Sequence, residues 1–261
     1  MKNKHNLDIK EILKLKDSLS KEFHTRTSIN YLSKKIIPYE KWPENWRKIF
    51  YKEYPRFDSI KIEESNIKML KNPLSRIILK RRSDRNFIKS STLKLSDIKT
   101  IIALSAGVNS TNPENGLSLR SWPSAGARYP LELYILNNKI KGLEKYSYHY
   151  NVKRNSLEKL FPIENVSDFF AEISGQEWTK NAACMIAVSS VFGRNRVKYA
   201  DRGYRYSLID CGHLGQNILL ICTALDLKSC PIGGFLDSRL NESLDLDGKN
   251  EAVIYLIAIG R

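Results

Sequence analysis

Arg81-Arg82-Ser83-Asp84-Arg85 gathers three guanidinium groups and a hydroxyl within five consecutive residues. Arginine forks suit a phosphate through paired, charge-assisted hydrogen bonds. The same cluster also reads as the solvated basic end of a helix, where cations meet the negative pole of the dipole. If that helix continues through the cluster, Arg81 and Arg85 share a face. A second segment, Trp122-Pro123-Ser124-Ala125-Gly126-Ala127-Arg128-Tyr129-Pro130, sets small residues between two stiffening prolines. Its backbone can approach a flat ligand closely, or it is simply the turn before a strand. Pro231-Ile232-Gly233-Gly234 has consecutive glycines whose N–H groups can form an anion-binding nest, or an ordinary turn. Lys198-Tyr199, inside RVKYADRGYRY, is the remaining candidate. A lysine partly withdrawn from water beside Arg196, Arg202 or Arg205 gives up its proton more readily and can act as a base. The bland alternative is a basic, solvated loop. His213 is either catalytic or a satisfied core or interface histidine, and His149 in YHY reads as a strand surface residue.

These residues need elements to hold them. Residues 7–23 carry apolar side chains at helical spacing, and residues 24–66, with Trp42-Pro43, Trp46, Tyr51 and Tyr54-Pro55, read as an extended segment packed on the body. Residues 1–66 are therefore expected to be a helical and extended N-terminal segment, and residues 67–261 a single domain. Asn72-Pro73 begins a helix that the arginine cluster closes, and Ser96-Asp97 begins another that stops at Gly107. Strands are expected at 131–136 and 146–150, with a turn region from 137 to 142 between them. The nearly continuous apolar runs at 184–192 and 252–260 predict central strands covered on both faces. The longest helix spans roughly 207–227 and is apolar nearly all round, which suits a large core or a subunit interface. Helices covering a mixed sheet give the α+β class.

Composition excludes several roles. The 261 residues are 42% hydrophobic, enough for one sizeable core, and no run is long and apolar enough to span a membrane. The charged N-terminus lacks a signal peptide's apolar stretch, so a cytoplasmic location is expected. Cys184, Cys211, Cys222 and Cys230 form no C-x-x-C pair and are expected to be buried small hydrophobes, with no metal site. The net charge of +15 is spread through a Lys-rich sequence without an aromatic-interleaved basic stripe. Nucleic acid is therefore not expected as a partner, whereas an anionic ligand is favoured.

In this order the segments resemble one family. RRSDRNF is similar to the opening flavin-binding motif of the nitroreductase superfamily. PSAGARYPLELY, KYADRGYRY with the following D-x-GHLGQN, and PIGGF resemble its SagB/ThcOx-type branch, whose members oxidise thiazolines and oxazolines in ribosomally made peptides. The likeness covers roughly residues 72–261. FHTRT and KWPENWRKIFYKEYPR upstream also resemble that branch.

The resemblance implies a nitroreductase-like fold and a homodimer with two FMN sites built from both subunits, the long buried helix lying at the interface. It implies that Arg81, Arg82, Ser83 and Arg85 hold the phosphate, ribityl chain and ring edge. Pro123, Ser124, Ala125 and Gly126 would line the flavin from the partner subunit. Pro231, Ile232, Gly233 and Gly234 would run beside the isoalloxazine, and Lys198 and Tyr199 would be the catalytic pair. The expected partners are the modified precursor peptide and a cyclodehydratase. Two other roles fit the residues: a nicotinamide-dependent nitro, quinone or ene reductase, and a scaffold that docks a peptide in a modification complex.

Overall fold

The computed structural model describes residues 19–29, 39–41, 73–111 and 118–261. Residues 7–18 of the expected N-terminal helix and the aromatic segment around Trp42 to Pro55 lie outside them. Helices are α1 (Leu19–Thr27), α2 (Pro73–Lys80), α3 (Leu95–Ala106), α4 (Val166–Ser174), α5 (Gly193–Tyr199), α6 (Arg202–Ala224) and α7 (Asp237–Ser243). Strands are β1 (Leu93–Lys94), β2 (Val108–Thr111), β3 (Ser118–Arg120), β4 (Leu131–Asn137), β5 (Ile140–Lys141), β6 (Tyr146–Asn151), β7 (Ser156–Pro162), β8 (Cys184–Val191), β9 (Lys228–Ile232) and β10 (Glu251–Gly260).

Six strands form the main sheet in the order β7-β6-β4-β8-β10-β9, and every neighbouring pair in it is antiparallel. Parallel pairing enters the mixture at the short β1–β5 ladder. Side chains alternate across the sheet, so each central strand feeds two cores. Ile186 and Val188 of β8 join Ile98, Ile101, Leu214 and Ile218 beneath α3 and α6. Met185 and Ala187 join Phe169, Phe170, Ile173, Leu240 and Leu244 beneath α4 and α7. This double covering explains why β8 and β10 read as unbroken apolar runs.

Two helices depart from the expected pattern. α2 starts at Pro73, as proline at the first helical position favours, but ends at Lys80, so the arginine cluster is not helical. Arg81 and Arg85 therefore share no helix face. The reason is tertiary: the Asp84 N–H donates to the Ser229 carbonyl at 3.0 Å, which draws the segment alongside β9. α6 begins at Arg202, earlier than expected, and is not buried all round. Gly203, Ser207, Asp210, Cys211, Leu214, Ile218 and Cys222 face inward, whereas Leu208 and Ile209 are 42% and 48% exposed. All four cysteines are free and buried, and burial pushes the thiols of Cys184, Cys211 and Cys222 upward.

α1 lies over the junction of α5 and α6. Ser20 Oγ donates to Asp201 Oδ1 at 2.7 Å, and the His24 ring packs 4.9 Å from Phe192. His24 Nδ1 sits 3.1 Å from the Tyr204 hydroxyl, and burial lowers the pKa of this imidazole. The described part of the N-terminal segment is thus helical and docked on the domain.

Candidate active site

Two groups of predicted residues come together separately. The first joins the arginine cluster to Pro231–Gly234. Besides the Asp84 backbone contact, Lys228 Nζ donates to the Asn86 carbonyl at 2.6 Å, so residues 84–86 are tied to β9 just upstream of the glycines. Arg82 Nη1 donates to the carbonyls of Leu79 and Arg81, capping orphan acceptors at the end of α2. The Arg85 guanidinium lies 5.8 Å from the Trp178 ring centre. Ser83 is exposed and Arg81 partly so, leaving donors at the surface.

Gly233 and Gly234 are exposed, and a Cβ built on either would meet nothing within 4 Å. Neither has a positive φ. Among the described residues, neither backbone conformation nor packing therefore demands glycine at these two positions. A flat ligand lying against the backbone would demand it. Arginine, serine and bare backbone N–H groups together are donors suited to a phosphorylated flavin, so the residues present fit FMN.

The second group joins the 123–126 loop to Lys198-Tyr199. A short 3-10 turn, Ala125–Ala127, follows Ser124 and places Gly126 at φ 60°. A Cβ on Gly126 would lie 2.5 Å from the Tyr199 hydroxyl and 2.8 Å from Lys198 Nζ. The left-handed bend at Gly126 is thus the surface on which both polar heads rest. The pair is carried by α5, so the loop of the bland alternative does not describe its backbone. Lys198 Nζ lies 5.4 Å from the Tyr199 ring centre, and Tyr199 meets Tyr206 of α6 edge to face at 4.9 Å. Lys198 is exposed in the single chain, so this fold alone does not withdraw it from water.

α5 is fastened at its start as well. Arg194 Nη1 pairs with Glu132 Oε1 of β4 at 2.5 Å and lies 3.3 Å from the Tyr129 carbonyl. Arg128 Nε donates to the Arg194 carbonyl at 2.7 Å. His149 bridges Glu132 at 3.2 Å and Glu158 at 3.0 Å. Burial alone would raise the Glu132 carboxyl; the His149 hydrogen bond and the Arg194 charge outweigh it and hold it at about 2. Burial likewise opposes charging His149, but bonds from both carboxylates raise its pKa. His149 is therefore not a plain surface residue, and sequence reasoning gave no sign of the network because Glu132, Arg194 and His149 are far apart along the chain.

Asp210, quoted above only as the first residue of D-x-GHLGQN, was given no role. It is 2% exposed, accepts from Ser124 Oγ at 2.5 Å, and has its carboxyl pushed up by burial against bonds from Ser124 and Ala125. Its signal was present as i, i+4 spacing from Tyr206. His213 is exposed on α6 in the single chain, so of the catalytic, core and interface positions expected from sequence only the core one is excluded. No hydrogen bond among the described residues joins the two groups.

The model of the Nitroreductase family matches residues 78–261. A protein of Methanocaldococcus jannaschii named as a nitroreductase, MJ1384, is 30% identical over 204 residues, covering 78% of this chain and 98% of its own. The microcin B17-processing protein McbC of Escherichia coli is 25% identical and covers 99% of this chain and 96% of its own. The E. coli microcin synthetase McbBCD complex with truncated pro-MccB17 bound contains a chain of the same fold. It has a TM-score of 0.76, 22% identity and 99% coverage of both chains. A nitroreductase structure from Anabaena variabilis is 31% identical with a TM-score of 0.61; the match covers 72% of this chain but 38% of that one. The match spanning most of the chain, together with the 30% identical relative, shows that this protein belongs to the nitroreductase family.

Proposed function

We propose that this protein is an FMN-dependent dehydrogenase that oxidises thiazoline or oxazoline rings to thiazoles or oxazoles in a ribosomally made peptide. The observation that carries the reading is the meeting of Lys198 and Tyr199 on Gly126 of the 123–126 loop. Reduction of a nitro group needs no dedicated base, whereas making an azole requires loss of a ring proton. End-to-end similarity to a microcin-processing protein supports the same reading.

Bound FMN supplies a two-electron acceptor for the hydride equivalent. Arg81, Arg82, Ser83 and Arg85 bind its phosphate, ribityl chain and ring edge, and Pro231, Ile232, Gly233 and Gly234 bring bare backbone beside the ring. Pro123, Ser124, Ala125 and Gly126 line the opposite side from a second copy of the chain. This division accounts for two residue groups that no hydrogen bond among the described residues joins within one chain. Lys198 and Tyr199 take the ring proton as a pair. Covering by the partner and the peptide withdraws Lys198 from water and favours its neutral, proton-accepting form. The azoline peptide comes from a cyclodehydratase-type partner.

The test begins with the absorbance of the purified protein and the mass of the released chromophore. An azoline-bearing peptide is then offered to wild type and Lys198→Ala. Flavin bands, an FMN mass and azole formation that falls ~100-fold or more in the flavin-loaded variant are expected. Undiminished turnover by Lys198→Ala would remove the base assignment. A protein that takes up no FMN would leave the scaffold role.

A further inference from the structure

The polar residues Tyr206, Asp210, His213 and Asn217 recur on α6 at spacings of four, three and four, which puts them along one face. Three of them touch the machinery just described. Asn217 Nδ2 donates to the Ser121 carbonyl at 3.2 Å, at the entrance to the 123–126 loop. Asp210, almost wholly buried, accepts from Ser124 Oγ. Ser124 Oγ in turn accepts from the Tyr129 N–H at 2.9 Å, so one carboxylate braces both sides of the bend. One turn earlier, Tyr206 packs on Tyr199. The loop and the Lys198-Tyr199 pair then meet each other at Gly126.

We infer that Asp210 is a positioning residue: through Ser124 it fixes the 123–126 loop, and through Gly126 it sets where Lys198 and Tyr199 lie. The geometry is a closed circuit, from α6 to the loop, from the loop to the pair, and from the pair back to α6. A buried carboxylate is costly to keep without a task, and its hydrogen bonds are its compensation. Asp210→Ala and Ser124→Ala both remove the Ser124–Asp210 bond, while Asp210 keeps a bond from the Ala125 backbone and Ser124 one from Tyr129, so the two changes should couple strongly without coinciding. The consequence for turnover rests on the proposed role of Lys198 and Tyr199, but the geometric claim does not.

The experiment is a double-mutant cycle of Asp210→Ala and Ser124→Ala in the full chain, with Asp210→Asn alongside. The flavin-independent readout is acetylation of Lys198 by an amine-directed ester, followed by mass spectrometry and normalised to Lys99 in the same sample. The second readout is the rate of flavin reduction by an azoline peptide. We expect each alanine change to raise relative Lys198 labelling ~3-fold and to slow flavin reduction about tenfold, with the double variant well short of the product of the two. Asp210→Asn, which keeps one acceptor, should fall between wild type and Asp210→Ala. A change that only weakened the fold would leave the Lys198 to Lys99 ratio at the wild-type value below the melting temperature. That ratio in a folded Asp210→Ala protein, or effects that multiply in the double variant, would overturn the inference. If Asp210→Ala does not fold, the cycle runs on Asp210→Asn and Ser124→Ala with the same criteria. If wild type proves inactive on azolines, labelling still decides the geometric claim, and the failure belongs to the proposed function.

Discussion

Gly126 combines φ 60° with the close approach of two polar side chains. Alanine there pays a left-handed backbone cost of about 1–2 kcal/mol and drives its methyl group into the Tyr199 hydroxyl and Lys198 amine. Both heads can move, so the expected outcome is a folded protein with a modest loss of stability and a large loss of turnover. Thermal melting and azole formation on the same flavin-loaded sample would check it. At Gly233 and Gly234 the direction differs, because nothing among the described residues opposes a side chain there. Gly233→Val should fold normally and bind FMN poorly, as measured by flavin retention on gel filtration. Unchanged retention would separate these glycines from the cofactor.

At the scale of elements, α5 is held to the sheet by Arg194 on Glu132, and Glu132 is shared with His149. The signs of the two titrations are opposite. Glu132, with its pKa held at about 2, contributes stability that is present above its ordinary value of about 4.5 and is lost as pH falls towards 2. His149, with a raised pKa, contributes stability that is present below about 6.5 and is lost as pH rises through its elevated value. Melting temperature against pH should therefore peak between about 4.5 and 6.5 as far as this network governs it. His149→Gln should flatten the alkaline limb. Glu132→Gln should cost about 3 kcal/mol near neutrality, since it strands Arg194. Elements with a strong period were legible in sequence: β4, β6, β8, β10 and α3 appear within a few residues of their expected bounds. α5 was not, because GRNRVKY has no apolar stripe and owes its helix to tertiary anchoring at Arg194. β7 was not, because SLEKLFP is a partly exposed strand whose adjacent charges, Glu158-Lys159, break the alternation. The motifs of the candidate site could be read as chemistry, but their pairing could not. Only the fold reveals that 84–86 adjoin β9 while Gly126 supports Lys198-Tyr199.

At the scale of the molecule, apolar side chains remain uncovered on two helices that touch each other. Leu74 and Ile78 of α2 are 53% and 52% exposed, and α6 adds Leu208 and Ile209. Isolated exposed leucines are ordinary, but this many on adjoining helices favour a covered interface. If a second copy covers them, stability becomes a mass-action quantity. Melting temperature should then rise with protein concentration over ~1–100 μM, and Ile209→Asp should abolish the rise and reduce FMN content together. A concentration-independent melt would argue against a dimer that completes the site.

The strand order carries a kinetic meaning. β8 lies between β4 and β10, and neither neighbour is joined to it by a hairpin. The chain must close long loops before the middle ladders of the sheet reward it, while β4, β6 and β7 can zip up by short connections. Refolding should thus begin from the β4–β6–β7 meander and wait on β8, so that conservative truncations such as Ile186→Val slow folding more than they hasten unfolding. A newly made chain would spend that waiting time with its most apolar strands unpaired, which makes the interval before β8 docks its most aggregation-prone moment.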